Sequence, residues 1–267
     1  MSTQSNLRYF GWSCFAIESA GGDLLFDPFY RPMHGAKWAK LDDFRNTKVI
    51  CVTHGHYEHY LDIPAVVKLT GAIVVGAKEV CDHLNLSYDV PRDRLFPIRP
   101  FHEIEVSQFK ITTFEWEHRN ISFLAFFKGS IHTAVQFIWN GVFKSPFNAP
   151  KFGYYVEGPD GIRVMHYGEG FSNLIYIQEV RELGKRFSPD ILLAGMQLKF
   201  EKYLADGVAA FSPKTVVLFH PHEKLFEKVK LVSSTPQTFA ENIKQKLPDA
   251  EIIIAKPMAP ITVYQSK

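Results

Sequence analysis

The chain has 267 residues, 46% of them hydrophobic and 22% charged, an ordinary globular composition that excludes a disordered or fibrous protein. Its 30 basic and 28 acidic residues leave a formal charge of +2, too even for net charge to drive binding to nucleic acid or to an anionic bilayer. α/β and sandwich folds of this size often form one unit, so a single domain over residues 1–267 is expected.

Residues 7–10, 14–18 and 23–26 are short alternating or apolar runs broken by Gly11 and by Gly21-Gly22, which predicts an opening β-meander. Residues 48–53 (KVICVT) form a β-branched run, the pattern of a strand buried on both faces, and they lead directly into a histidine cluster. A helix is predicted over 63–69, a strand over 72–75, a helix over 77–84 and an alternating strand over 109–116. Residues 121–152 carry eight Phe and Trp together with Gly141, Pro146 and Pro150, and they read as a loop or hairpin excursion. It would serve as a partly buried hairpin, as an aromatic substrate wall or as an oligomer face. Strands over 154–157 and 162–167 flank a Gly-Pro-Asp-Gly turn, a strong hairpin signal. Strand and helix then alternate over 191–194, 201–210, 216–219, 238–246 and 251–255.

The chemistry concentrates in Thr53-His54-Gly55-His56-Tyr57-Glu58-His59, at the carboxyl end of a buried strand, where open sheets place their sites. In a tight turn alternate residues converge on one ion while the next pair faces a neighbouring ion, so one short loop can supply a dinuclear site. Imidazole and carboxylate suit zinc at about 2.0–2.2 Å, and also iron, manganese and cobalt. Cys14, Cys51 and Cys81 have no CxxC spacing and read as buried small hydrophobes, not as a disulfide framework or a thiolate zinc site. The N-terminal residues show no basic stretch followed by an apolar one, and no apolar run approaches the ~20 residues of a bilayer span. A cytoplasmic chain with no integral membrane segment is expected.

His54-x-His56-x-Glu58-His59 resembles the HxHxDH signature of the metallo-β-lactamase superfamily, and the resemblance covers essentially the full chain. Within it the sequence is similar to the uncharacterised metal-dependent hydrolases near the ascorbate-phosphate lactonases and the N-acylphosphatidylethanolamine phospholipases. Tyr9-Phe10-Gly11-Trp12-Ser13-Cys14-Phe15 resembles that subgroup's opening motif, and Leu24-Leu25-Phe26-Asp27-Pro28 its DP turn. The resemblance implies an α/β fold, a four-layered αββα sandwich with two divalent metals at the edge between the sheets. The metals would be zinc, with iron or manganese as alternatives.

Carried over residue by residue, His54, His56 and His118 would hold the first metal. Glu58, His59 and His220 would hold the second, and Glu169 would bridge them. His222, two residues beyond His220, competes for the same role. Asp27 and His166 would support the ligands, Asp27 by hydrogen bonding an imidazole N–H or a backbone amide. The family has Asp where this chain has Glu58 and Glu169, arms longer by about 1.5 Å.

The implied activity is metal-dependent hydrolysis, in which water held between the ions attacks a lactone, amide or phosphodiester of a small molecule, with Glu58 as the proton shuttle. The doubled Glu keeps open an iron-dependent oxygenase or other redox enzyme on the same fold, and a noncatalytic binding protein with a degraded site is the third reading. A small-molecule substrate is the expected partner, nucleic acid is not, and the aromatic-rich segment offers a homo-oligomer contact.

Overall fold

The computed structural model describes residues 3–33, 36–117, 131–172, 176–197, 199–228, 230–231 and 234–265. The opening runs form β1 (Thr3–Gly11), β2 (Cys14–Glu18) and β3 (Asp23–Phe26), paired antiparallel in succession. The β-branched run forms β4 (Thr47–Cys51), parallel to β3, and β5 (Ile73–Gly76) and β6 (Leu95–Pro97) continue the parallel pairing. The connections between them carry α1 (Tyr57–Tyr60), α2 (Ile63–Thr70) and α3 (Lys78–Tyr88).

The second sheet begins with an antiparallel meander, β7 (Glu103–Val106), β8 (Phe109–Glu115), β9 (Phe152–Glu157) and β10 (Arg163–His166). Three parallel strands follow, β11 (Ile191–Gly195), β12 (Thr215–Phe219) and β13 (Glu251–Ile254). Their helices are α5 (Ile177–Arg186), α6 (Glu201–Phe211), α7 (Glu223–Lys228) and α8 (Pro236–Lys246), after α4 (Ile131–Ile138) between β8 and β9. From the far end of the chain, β14 (Pro260–Gln265) returns to pair antiparallel with β1. The sheets run β14-β1-β2-β3-β4-β5-β6 and β13-β12-β11-β10-β9-β8-β7.

The aromatic-rich segment departs from the expected loop or hairpin. Residues 121–130 lie outside the described residues, but α4 runs into a π-helical turn over Trp139–Phe143. The reason is visible in the spacing. Ile131, Val135, Trp139 and Phe143 recur every four residues, a spacing that keeps them near one side of a helix, and all four are exposed.

Strands with unbroken apolar runs divide their side chains between two cores. Ile191, Leu193, Val217 and Phe219 face inward with Phe15, Phe26, Val49 and Cys51 of the first sheet. Leu192, Ala194, Val216 and Leu218 face outward, beneath Val180, Leu204, Val208, Phe239 and Ile243 of α5, α6 and α8. On the outer face of the first sheet, Val66, Val67, Val80 and Leu84 cover it from α2 and α3. The result is the four-layered αββα sandwich. Truncating one such buried leucine to alanine costs about 2–5 kcal/mol.

Two further contacts lock β9 to the end of β4, where the histidines begin. The Phe152 amide donates to the Thr53 carbonyl at 2.7 Å, and the Tyr154 hydroxyl donates to the Val52 carbonyl at 2.7 Å. All three cysteines are buried and free. Among the described residues no helix is long and apolar enough to cross a membrane.

Candidate metal centre

The histidine loop leaves β4 at its carboxyl end and closes into the single turn of α1, with His56 at the N-cap. Asp27, one residue past β3, takes a left-handed backbone at φ 44°, which Asp tolerates better than most residues, and turns its carboxylate under the loop. Its Oδ1 accepts from the Thr53 amide at 2.8 Å, and its Oδ2 accepts from the Thr53 hydroxyl at 2.6 Å and from His59 Nδ1 at 2.7 Å. The Thr53 hydroxyl spends its one hydrogen on Asp27, so at 2.9 Å it accepts from His54 Nδ1. Both imidazoles are thereby fixed as Nδ1–H tautomers, with Nε2 turned into the site.

Glu169 arrives from the other sheet in Gly168-Glu169-Gly170, three residues past β10. Both glycines have positive φ, 54° and 110°, and a Cβ on Gly168 would lie 2.3 Å from the Trp116 ring. Only glycine allows this turn to pass so close. Glu169 Oε1 stands 3.1 Å from His59 Nε2, 3.3 Å from His222 Nε2 and 3.6 Å from His54 Nε2. His222 Nε2 is also 3.3 Å from Glu58 Oε1. His54, His56, Glu58, His59, Glu169 and His222 are all buried.

Two sets of ligand atoms have the spacing to hold an ion, His54 with His59 and Glu169, and His56 with Glu58 and Glu169. Among the described residues the loop thus brings His54 together with His59, and His56 with Glu58, while the expected set of His54, His56 and His118 includes a residue outside them. The cause is the Asp27–Thr53 anchor, which ties the Nδ1 atoms of His54 and His59 to one point and sends both Nε2 atoms to Glu169 Oε1. The His54 ring lies between its neighbours, its centroid 4.2 Å from that of His56 and 4.0 Å from that of His59.

Of the two candidates for the last ligand, His222 stands against both Glu58 and Glu169. His220 closes the turn after β12, its Nδ1 accepting from the His222 amide at 3.3 Å while its ring meets Phe226 edge-on. That turn carries His222 over the site, against Phe226 and Trp12. His118 lies outside the described residues. His166 stays in the core between the sheets, donating from Nε2 to the Ser13 carbonyl at 3.3 Å among Phe15, Phe26 and Phe219. Burial lowers its pKa to about 4.

The electrostatics are those of a site built for cations. Burial pushes the His59 pKa down, but Asp27 and Glu169 outweigh it and raise it to about 10. Burial pushes the Glu58 carboxyl up, but the His222 hydrogen bond and the neighbouring imidazoles hold it at about 2. Buried Glu58 Oε2 and His222 Nδ1 have no hydrogen-bond partner among the described residues. Imidazoles with preset tautomers around two buried carboxylates fit zinc, iron or manganese.

Three contributors were assigned no role from the sequence. Thr53 sets a tautomer, Phe147 stacks on His56 at 4.4 Å, and the Gln197 amide donates to Glu169. Gln197 sits just past β11, between the strand ends that deliver Glu169 and His222. The strand-end placement that drew attention to the Thr53–His59 cluster applies to it too.

Residues 6–208 match the family model described as the β-lactamase superfamily domain. A UPF0173 protein of Pyrococcus furiosus is 30% identical over 215 residues, covering 79% of this chain and 80% of its own. A UPF0173 metal-dependent hydrolase of Rubrobacter xylanophilus is 23% identical over 256 residues, covering 95% and 94%. Among solved structures, Igni18, described as a novel metallo hydrolase from Ignicoccus hospitalis, has the same fold, with a TM-score of 0.70 at 18% identity, covering 99% of this chain and 100% of its own. The chain belongs to the metallo-β-lactamase superfamily and, within it, to the UPF0173 group of metal-dependent hydrolases.

Proposed function

We propose that the chain hydrolyses a lactone, amide or phosphodiester of a small molecule with two divalent ions, zinc ahead of iron or manganese. His54, His56, Glu58, His59, Glu169 and His222 would hold them. One observation carries this reading: Glu169 Oε1 is shared by the Nε2 atoms of three imidazoles, at 3.1, 3.3 and 3.6 Å, the arrangement a bridging carboxylate needs. Bound there, the ions would supply Lewis acidity, lowering the pKa of a water towards about 7 and polarising the substrate oxygen.

The protein's own contribution is orientation and exclusion of water. Asp27 and Thr53 preset the tautomers of His54 and His59, and Trp116 and Phe147 wall the rings of His54 and His56. Glu58 keeps Oε1 on His222 and leaves Oε2 to carry a proton between water and leaving group. The Phe147 ring over His56 favours a substrate with an apolar part.

The test is to load metal-free protein with zinc or with iron, each with and without dioxygen, and present the three bond classes. Turnover of one class, lost in Glu169→Gln, is expected. Turnover that requires dioxygen and disappears with zinc would replace this reading with the oxygenase.

A further inference from the structure

Glu169 carries its carboxylate on one more side-chain torsion than an aspartate would, and the site works only if that torsion is fixed. Gln197 is placed to fix it. Its side chain is 2% exposed, and its Nε2 donates to the Glu169 backbone carbonyl at 2.8 Å and to Glu169 Oε2 at 3.3 Å. Both facing atoms are acceptors, so the amide orientation is dictated, because a flipped amide would set oxygen against oxygen. With Oε2 and the backbone oxygen held by one donor group, the carboxylate turns Oε1 towards His59, His222 and His54.

The backbone beneath is equally constrained. A Cβ on Gly195 would lie 2.0 Å from the Glu169 carbonyl oxygen, and a Cβ on Gly170 would lie 2.1 Å from the Gly195 carbonyl oxygen. The end of β11 and the Glu169 turn therefore touch backbone to backbone, which brings Gln197 within reach. Its own Oε1 is buried with no hydrogen-bond partner among the described residues. A glutamine serving packing alone would be better replaced by an apolar side chain, which would leave no such atom unsatisfied.

We infer that Gln197 is a positioning residue that locks the long Glu169 carboxylate in its shared orientation and so sets the affinity of the metal centre. The inference rests on the reading of Glu169 as a ligand.

The experiment is a double-mutant cycle read by calorimetric zinc titration, with Gln197→Met, Glu169→Gln, the double variant and the parent. Thermal unfolding of each metal-free protein is measured in parallel. Gln197→Met keeps length and volume while removing the donor. The expected result is zinc affinity weaker by about 10- to 100-fold, as for other partners that orient ligands, with a melting temperature close to the parent's. In the Glu169→Gln background, Gln197→Met should add no further loss. Parent-like affinity in Gln197→Met, or an equal loss in both backgrounds, would overturn the inference while leaving Glu169 a ligand. Parent-like affinity in Glu169→Gln would instead overturn the reading of Glu169, and this inference with it. Gln197→Leu, which also removes the donor without adding charge, gives the same comparison should the methionine variant fail to fold.

Discussion

Asp27 Oδ2 lies 2.7 Å from His59 Nδ1, while Asp27 Oδ1 takes the Thr53 amide at 2.8 Å. One carboxylate thus aligns the loop backbone and sets the tautomer of a proposed ligand at once. Asp27→Asn separates the two effects, because Asn also tolerates the left-handed backbone and its oxygen can still accept from Thr53. Its amide nitrogen would then face His59 Nδ1 and move the imidazole proton to Nε2, the atom a metal needs. Zinc affinity should fall about 10- to 100-fold with the fold retained, measured by competition against a chromophoric chelator. Unchanged affinity would remove Asp27 from the site.

His220 and His222 give a paired prediction. His222→Ala removes a side chain that reaches two buried carboxylates, whereas His220→Ala removes the acceptor that closes the turn and a ring contact with Phe226. Metal content after dialysis should fall in His222→Ala and stay at the parent level in His220→Ala. The reverse pattern would restore His220 as the ligand.

That pair also marks where the sequence stops being informative. The HxHxEH spacing behind a buried run pointed to the loop, whereas Glu169 was named through the family resemblance, the hairpin signal giving only the strand ahead of it. His220 and His222 flank the same proline at the same strand end, and only the hydrogen bond that closes the turn separates them. β14 was not legible, because pairing with a strand some 250 residues earlier leaves no local signature. α4 is not apparent in the composition of its segment, where Phe and Trp together with Gly141, Pro146 and Pro150 suggest a hairpin; its signal lies in the spacing of Ile131 and Val135 with Trp139 and Phe143 beyond it. Gln197 was overlooked because an amide is not a usual ligand for these ions, although it bonds to one.

Gly55 tests the wall over His56. A Cβ there would lie 2.2 Å from the Pro146 carbonyl oxygen, and the following Phe147 stacks on His56. Gly55→Ala must push that segment outward or strain the histidine loop, costing about 1–3 kcal/mol. Chemical denaturation should register this loss together with weaker zinc binding. Full stability and full affinity would show that the Pro146 segment yields freely.

At the opposite end of the second sheet, Asp190 clamps the starts of β10 and β11. It accepts from Arg163 Nε and a terminal guanidinium nitrogen, each at 2.9 Å. Burial pushes its carboxyl up, but the Arg163 hydrogen bonds and the charges of Arg163 and Lys214 outweigh it, so its pKa is lowered. A carboxylate depressed in the folded state adds stability above the unfolded value of about 3.9 and loses it as pH falls through the folded one. Asp190→Asn should cost about 1–2 kcal/mol at neutral pH, kept small because Arg163 is over a third exposed. The gap to the parent should close below about pH 4 in denaturant unfolding series. A gap constant across that range would mean that charge is not what holds the clamp.

The central claim, that two ions share Glu169, is tested most directly by elemental analysis of zinc per chain after loading and exhaustive dialysis, in the parent and in Glu169→Gln. The account predicts about two zinc ions in the parent, a two-metal site, and a loss of at least one in Glu169→Gln, where the charge offsetting both cations is gone. Two tightly held ions in Glu169→Gln, or none in the parent under any loading condition, would contradict it.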